Sequence, residues 1–223
     1  MKRRHFNALA IALCALAAAG SSGFTLAQTP ADPVILVVGD SLSAEYGLKR
    51  GTGWVALLDE RVKREKVRAR VVNASISGDT TSGGRSRIAA LLKQHQPALV
   101  VIELGGNDAL RGLPLNMTRD NLAAMARMAR EAGAKVLLLG MEMPPNYGAK
   151  YAQEFRDVFT TVAKAEKTAL VPFFLKGVAD GPEPLKLFQS DRHLSQTMVP
   201  VSGLAPLSST SELTLKAPDA APA

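Results

Sequence analysis

The sequence Val34-Ile35-Leu36-Val37-Val38, followed by Gly39-Asp40-Ser41-Leu42-Ser43, decides the fold class. The first five residues are apolar and mostly β-branched, which is typical of a buried strand in a parallel sheet. Ser41 therefore lies just beyond the end of a strand. Ligands of open α/β sheets bind beyond the carboxyl ends of the strands, so Ser41 is a candidate nucleophile. Gly, Asp and Ser are also common turn residues, and Ser41 alone does not decide between these interpretations.

The rest of the chain alternates predicted strands with predicted helices. Strands are predicted at residues 34–38, 67–72, 99–104, 135–139 and 169–172, and helices at residues 54–65, 85–94, 118–132 and 149–167. Strands and helices that alternate in this way form a parallel sheet with helices packed on its faces. The sequence therefore predicts an α/β fold with a parallel sheet of about five strands.

The first 27 residues have the features of an export signal. Basic residues at positions 2–4 precede an apolar stretch at 8–19, and Ala27 offers a small residue for cleavage. Because the apolar stretch is too short to span a bilayer comfortably, we expect a removed signal peptide at 1–27 and no stable membrane anchor in the mature protein. Arg3-Arg4-His5-Phe6 resembles a twin-arginine signal, so both the Sec and the twin-arginine routes are open. The mature protein is expected to be periplasmic or secreted.

The composition of the remaining chain narrows the function classes. Cys14 is the only cysteine and lies in the predicted signal, so the mature chain has no thiol for a disulfide or a metal. Removal of that segment takes away three basic and no acidic residues, which lowers the net charge from +7 to +4. This mild charge gives little support to nucleic-acid binding. Residues 28–199 can form one domain with a sizeable core, whereas residues 200–223 are predicted to be a flexible tail.

Two further loops are predicted to meet Ser41 at the same edge of the sheet. The second strand is followed by a loop that contains Gly78, and the third by Gly105-Gly106-Asn107-Asp108. Since parallel strands all end at one edge, Ser41, Gly78 and Asn107 can converge there. The N–H groups of Ser41 and Gly78 and the amide of Asn107 would then offer three donors to a developing oxyanion, as acyl transfer requires. Gly78 and Asn107 are individually ordinary turn residues, so the convergence is the stronger signal.

Three short motifs occur in the same order and at similar separations as in a known family. Gly39-Asp40-Ser41, Ser77-Gly78-Asp79 and Gly106-Asn107-Asp108 resemble the first three blocks of the GDSL, or SGNH, hydrolases. The resemblance covers about residues 34–189. It is closest to the exported bacterial branch that includes arylesterases, a multifunctional thioesterase and lysophospholipases. Residues 144–148 and 171–174 also look like that branch.

This resemblance implies a three-layer α/β/α fold of flavodoxin-like topology, and an esterase that uses no metal ion and no organic cofactor. It implies that Ser41 is the nucleophile and that the Ser41 N–H, the Gly78 N–H and the Asn107 side chain form the oxyanion hole. In this branch the loop after the third block shapes the acyl pocket, and here that loop is residues 109–114. The expected substrate-binding residues are Asp40, Arg111 and Leu113.

A serine nucleophile needs a base, and the predicted base is His193. It lies in Gln189-Ser190-Asp191-Arg192-His193, where Asp191 is predicted to orient the imidazole. His95, the other histidine outside the signal segment, lies at a helix end and is expected to be solvated. In the family two residues separate the aspartate from the histidine and an amphipathic helix follows. Here one residue separates them, and residues 195–223 lack the pattern of such a helix.

The leading hypothesis is a serine esterase that hydrolyses carboxylic ester or thioester bonds of small molecules through an acyl-enzyme. Aryl and acyl esters, lysophospholipids and acyl-CoA are candidate substrates. A carbohydrate O-deacetylase acting at the same site is an alternative. A catalytically impaired relative is another, since the spacing of Asp191 and His193 departs from the family pattern. No phosphate-binding glycine loop follows a predicted strand, which argues against a nucleotide-binding module.

Overall fold

Five parallel strands form the central sheet of the computed structural model, which describes residues 32–177 and residue 179. The strands are β1 (Val34–Gly39), β2 (Arg70–Asn73), β3 (Leu99–Glu103), β4 (Lys135–Leu139) and β5 (Ala169–Val171). They are hydrogen-bonded in the order β2-β1-β3-β4-β5, and every neighbouring pair is parallel. The predicted α/β fold with about five parallel strands is confirmed.

Helices connect the successive strands. Within the described residues they are α1 (Trp54–Arg64), α2 (Thr81–His95), α3 (Gly106–Leu110), α4 (Leu115–Glu131) and α5 (Ala149–Glu166), with a 3₁₀ turn at Pro145–Tyr147. The connection from β1 to β2 crosses the sheet in the opposite direction to the later ones. Right-handed crossovers therefore place α1 on one face and α2, α4 and α5 on the other. On that second face α4 packs against both α2 and α5.

The two central strands position the loops that carry the candidate site. β1 and β3 are buried along their whole length, as expected for strands covered by helices on both faces. Their register pairs Gly39 with Glu103, the last residue of each strand. The loops after β1 and β3 therefore leave the sheet at the same level, which brings Asp40 and Ser41 next to the loop that carries Asn107.

Several predicted boundaries were wrong, among them the start of α4, which is Leu115 and not residue 118. β2 begins at Arg70 and not at residue 67, because the Val67 N–H donates to Val62 O at 3.0 Å and belongs to the turn that ends α1. α2 begins at Thr81 and not at residue 85, after an N-cap in which Thr80 Oγ1 accepts from Gly83 N–H. The expected loop at 109–114 is partly helical, since its first two residues belong to α3.

Some predictions concern residues that the structure does not describe. They are the signal peptide at 1–27, the tail at 200–223, and the pair Asp191 and His193. Within the described part of the chain, no helix combines the length and the apolar character needed to cross a bilayer.

Candidate active site

Ser41 lies in a tight turn directly after β1, which we call the Ser41 turn (residues 40–46). The turn is closed by backbone hydrogen bonds from Ala44 N–H to Asp40 O at 2.9 Å and from Tyr46 N–H to Ser41 O at 3.2 Å. Asp40 Oδ1 also accepts the Leu42 N–H at 3.0 Å, an Asx turn that fixes the backbone on both sides of Ser41. Ser41 is half-buried, and neither its N–H nor its hydroxyl is hydrogen-bonded to any other described residue.

Gly78 lies in the turn after β2, where the Asp79 N–H donates to Ile76 O at 3.1 Å. Its φ of +77° is in the left-handed region, which favours glycine. The Gly78 N–H has no acceptor among residues 32–177. The Gly78 carbonyl, by contrast, accepts from Arg111 Nη2 at 2.8 Å, so a side chain from the third loop holds this peptide in place.

Asn107 joins the three loops to one another. It is the second residue of α3, and its Nδ2 donates to Asp40 Oδ2 and to Asp79 O, both at 2.9 Å. Both partners are acceptors, which fixes the orientation of the amide. The loops that carry Ser41, Gly78 and Asn107 thus meet at one edge of the sheet. However, both amide hydrogens are used inside the protein, so an oxyanion would have to take one of them from its present acceptor.

A second set of bonds holds α3 against the beginning of α2. The Asp108 carboxylate is fully buried and accepts from Thr81 N–H at 2.8 Å, from the Thr81 hydroxyl, and from the Thr118 hydroxyl at 3.4 Å. Asn121 Nδ2 donates to Thr81 Oγ1 at 3.1 Å, which adds α4 to the network. The peptide that carries Asn107 is therefore anchored to two helices.

A charged pair fixes the loop after β2. Arg87 of α2 binds Asp79 Oδ2 at 2.9 Å and also donates to the carbonyl of Ala74. Its second terminal nitrogen lies 3.5 Å from Gly39 O. Both members are largely shielded from solvent, so the pair is screened less than a surface ion pair. It holds the Gly78 turn against the end of β1.

Asp40 and Glu103, which we call the carboxyl pair, lie beneath the Ser41 turn. They are 4% and 1% exposed. Glu103 Oε2 accepts from Asp40 N–H at 3.3 Å and from the Ser43 hydroxyl at 2.8 Å. Burial is the main cause that raises the pKa of Asp40. Burial first, and then the charge of Asp40, raises the pKa of Glu103 well above its usual range.

The comparison with known proteins identifies the family. Residues 37–198 match the model of the GDSL-like lipase/acylhydrolase family, which is more than half of the chain. The chain belongs to this family. The match continues past residue 189, where we expected the resemblance to end, and it includes the positions of Asp191 and His193.

Curated relatives and a solved structure agree with membership of the GDSL-like family. Esterase TesA of Pseudomonas aeruginosa is 56% identical over 167 residues, which cover 71% of this chain and 83% of that protein. Thioesterase 1/protease 1/lysophospholipase L1 of Escherichia coli K12 is 41% identical over 156 residues, covering 70% and 74%. The crystal structure of the psychrotrophic esterase EstA from Pseudoalteromonas sp., inhibited by monoethylphosphonate, is 36% identical, with a TM-score of 0.66 over 74% of this chain and 97% of that one. The chain is an esterase of this family, with its α/β fold.

The expected substrate-binding residues of this GDSL-like chain have different environments. Arg111 is exposed and bonded to Gly78 O, and Leu113 is half-buried with its N–H donating to Asp108 O at 2.9 Å. Asp40 is buried, and its carboxylate contacts Leu42 N–H and Asn107. The prediction that these residues contact substrate stays a prediction, as do the roles of Asp191 and His193, which lie outside the described residues. Among the residues that are described, no group of three or more His, Cys, Asp or Glu could hold a metal ion.

Sequence reasoning missed Glu103 and the hydrogen bonds that converge on it. The signal was present: Glu103 is the one charged residue at the end of the apolar run Leu99–Glu103. A carboxyl group at the end of a buried strand requires local partners. Those partners are Asp40 and Ser43, about 60 residues earlier in the chain, so only the strand register could have identified them.

Large apolar side chains are exposed on the segments that follow the strands at the carboxyl edge of the sheet, and we call them the apolar rim. Each of the first four strands is followed by one of them. Tyr46 is 74% exposed, Ile76 53%, Leu110 57% and Tyr147 41%. Exposed apolar side chains that gather at one edge are typical of a ligand-binding surface.

Proposed function

We propose that the protein hydrolyses carboxylic ester or thioester bonds of small molecules through an acyl-enzyme on Ser41. The observation that carries this proposal is the set of donors beside the Ser41 hydroxyl. The N–H groups of Ser41 and Gly78 donate to no acceptor among the described residues, and the Asn107 amide lies between their loops. Pre-arranged donors of this kind stabilise the oxyanion of acyl transfer.

In the first half of the reaction, the Ser41 hydroxyl attacks the substrate carbonyl while His193 takes its proton. The carbonyl oxygen becomes an oxyanion that accepts hydrogen bonds from Ser41 N–H, Gly78 N–H and Asn107. The intermediate then collapses, and His193 gives the proton to the departing alcohol or thiol. In the second half, His193 deprotonates a water molecule that attacks the acyl-enzyme, and Ser41 is regenerated. Asp191 would hold the imidazole in the tautomer that these steps need.

The Asn107 amide must change one partner during this cycle. Its bond to Asp40 Oδ2 is charge-assisted, whereas its bond to Asp79 O is between neutral groups. Since charge-assisted bonds are roughly twice as strong, the hydrogen directed at Asp79 O is the one that turns to the oxyanion. The remaining bond to Asp40 keeps the amide in place.

The substrate class follows from the apolar rim. The exposed aliphatic side chains Ile76 and Leu110 follow strands that end at the edge where Ser41 lies, which favours an acyl chain over a saccharide. The names of the relatives, which include esterase and thioesterase 1/lysophospholipase L1, support ester and thioester substrates. The carbohydrate O-deacetylase has no comparable observation in its favour.

The decisive experiment is covalent labelling of the purified protein with a fluorophosphonate, combined with hydrolysis of p-nitrophenyl esters. The phosphonate-inhibited EstA structure supports this choice of probe. We expect labelling of the parent protein at one site and none in Ser41→Ala. Ser86→Ala is the matched control, because Ser86 is an exposed serine on α2 whose hydroxyl bonds only to Gly83 O.

Removal of the base tests the second half of the proposal. His193→Ala is expected to slow labelling about 100-fold or more, the usual contribution of a general base. A folded parent protein that is neither labelled nor active would show the catalytically impaired relative instead. Equal ester hydrolysis by Ser41→Ala and the parent would refute Ser41 as the nucleophile.

We also propose that the protein is exported to the periplasm or secreted, with residues 1–27 removed. The supporting observation is the sequence itself, with basic residues at positions 2–4 followed by an apolar stretch. The test is N-terminal sequencing of the protein recovered from a periplasmic fraction, where we expect Gln28 as the first residue. Replacing Arg3 and Arg4 by lysine distinguishes the routes, since only twin-arginine export requires both arginines.

A further inference from the structure

Glu103 takes no part in the mechanism above, and the hydrogen bonds of the carboxyl pair are unevenly distributed between its two members. Asp40 has one donor on each oxygen, Leu42 N–H on Oδ1 and the Asn107 amide on Oδ2. Both donors of Glu103, in contrast, reach Oε2. Glu103 Oε1 is buried and has no hydrogen-bond partner among the described residues. An unpaired buried oxygen costs free energy and calls for an explanation.

The direction of the bonds shows which oxygen of Glu103 carries a proton. The indole N–H of Trp54 donates to Ser43 Oγ at 3.2 Å, and an indole nitrogen is only ever a donor. Among the described residues Glu103 Oε2 is the one acceptor within reach of the Ser43 hydroxyl, so its single hydrogen is directed there, and Oε2 also accepts the Asp40 N–H. Oε2 accepts twice, so a proton on Glu103 must lie on Oε1.

Two neighbouring carboxyl groups in a buried site cannot both carry a negative charge without a large cost in free energy. A proton on Oε1 removes one charge and turns an unpaired acceptor into a donor. The acceptor that the packing offers is the Asp40 carboxylate, because Asp40 is already bonded to Glu103 through its N–H at 3.3 Å. Burial is the main effect on the pKa of Asp40 and raises it, whereas a side-chain hydrogen bond from Glu103 lowers it. The same bond raises the pKa of Glu103, after the larger effects of burial and of the charge on Asp40.

We propose that Glu103 is a neutral carboxylic acid that positions the Ser41 turn and the Asn107 amide by donating a hydrogen bond to Asp40. The inference rests on the proposed function of Ser41 and Asn107 and extends it. Glu103 touches neither the substrate nor the reacting atoms, so it is a positioning residue. Through Asp40 it acts on both sides of the oxyanion hole, since that carboxylate holds Leu42 N–H on one oxygen and Asn107 on the other.

The packing at Gly39 supports a fixed position for Glu103. Gly39 lies opposite Glu103 in the sheet register. A Cβ atom at Gly39 would lie 2.5 Å from Ser43 Oγ and 2.8 Å from Glu103 Oε2. Both distances are too short for real contacts, so the glycine leaves space that the Glu103 carboxyl group and the Ser43 hydroxyl fill.

Two variants separate the hydrogen bond from simple packing. In Glu103→Gln the amide oxygen replaces Oε2 and the amide N–H replaces the proposed Oε1–H, so we expect kcat within about threefold of the parent. Glu103→Met has a similar length but cannot donate. We expect its kcat to fall about 100-fold with little change in KM, comparable to the loss of one oxyanion-hole donor.

Glu166→Met is the matched control for lost stability. Glu166 is also buried, at 7% exposure, but it lies at the end of α5 and pairs with Arg127 and Arg130. We expect this variant to lower the thermal midpoint without lowering kcat at temperatures where it remains folded. Parent-like kcat in Glu103→Met, or an equal loss in Glu103→Gln and Glu103→Met, would overturn the proposal.

Infrared spectroscopy decides the question even if Glu103→Met fails to fold. With ¹³C-labelled glutamate, the parent protein should show the carbonyl stretch of a protonated carboxyl group at neutral pH, and Glu103→Gln should lack it. Absence of this band in the parent would overturn the neutral state of Glu103. The band does not depend on activity, whereas failure of the proposed function would appear as absent fluorophosphonate labelling of Ser41.

Discussion

Two buried acidic residues support the loop that carries Asn107, and their hydrogen bonding differs. Asp108 accepts from Thr81 N–H and from two hydroxyl groups, so each of its oxygens has a donor. Glu103 receives both of its donors on one oxygen. Asp108 lies at the N-terminus of α2, where the helix dipole favours an anionic partner. Glu103 is suited to the neutral state. One group anchors α3, and the other supports the Ser41 turn only while it holds a proton.

Removing the anchor should have the largest effect. Asp108→Ala leaves the Thr81 N–H and hydroxyl buried without their acceptor, and we expect the free energy of unfolding to fall by about 3 kcal/mol. Activity should fall as well, because α3 carries Asn107. Urea denaturation and ester hydrolysis measure the two effects. Asp120→Ala is the control: Asp120 is an aspartate on α4 whose side chain is 61% exposed, so its removal should change stability by less than about 0.5 kcal/mol. Equal stabilities of the two variants would contradict the anchoring role.

Filling the space at Gly39 should have the next largest effect. The Cβ of Gly39→Ala would collide with Ser43 Oγ and Glu103 Oε2, so we expect about 2 kcal/mol of destabilisation together with a lower kcat. Gly106→Ala provides a control for stability, since its Cβ would lie 3.8 Å from Asp40 Oδ2, an ordinary contact. Calorimetry and urea denaturation measure the difference. If both substitutions prove equally mild, the carboxyl pair does not depend on a close fit at Gly39.

The strands were predictable because each is a short apolar run. The edge of the sheet that carries the site was predictable because the connections make all the strands run in the same direction. The start of α2 was not. The helix was predicted to begin at residue 85, just after Gly83 and Gly84, but Gly84 lies in the helix, where a Cβ would collide with Leu104 and lie 3.1 Å from Met125 Sδ. Here glycine marks the close packing of α2 on its neighbours and does not break the helix. Tertiary contact outweighed propensity at this position.

The candidate site was also predictable only in part. The meeting of Ser41, Gly78 and Asn107 follows from motif order and strand direction. The support beneath them does not, because the Glu103 bonds to Asp40 and Ser43 depend on which residue of β3 lies opposite Gly39. Local patterns do not contain that register. The two hydrogen bonds of the Asn107 amide were missed for the same reason.

The proton on Glu103 predicts a dependence of stability on pH. Since the pKa of Glu103 is raised in the folded protein, the unfolded chain binds fewer protons above the usual value of 4.5. The free energy of unfolding should therefore fall as the pH rises, by up to about 1.4 kcal/mol per pH unit, until the folded pKa is reached. Asp40 and Asp79 are the acidic neighbours, and Arg87 pairs with Asp79.

Glu103→Gln isolates this contribution, because the other groups titrate in both proteins. Urea denaturation of the parent and the variant, at several values between about pH 5 and 7, should show the smaller slope in the variant. Parallel stability curves would mean that Glu103 is ionised in the folded state, and the contrast with Asp108 would then disappear.

The smallest expected effect concerns the exposed contact between the second and third loops. Arg111 donates one hydrogen bond to Gly78 O at 2.8 Å and is otherwise open to solvent. Because a hydrogen bond contributes about 1 kcal/mol and this one is exposed to solvent, Arg111→Ala should lower kcat/KM about threefold and lower the free energy of unfolding by less than about 1 kcal/mol. Arg119→Ala removes the same charge from an exposed side chain of α4 that bonds to Asp120 and to no residue of the three motifs, so it corrects for long-range attraction of anionic substrates. If both variants lose the same activity, Arg111 acts through its charge alone. The hydrogen bond from Arg111 is then not needed to hold the Gly78 peptide, and the Arg87–Asp79 pair is sufficient.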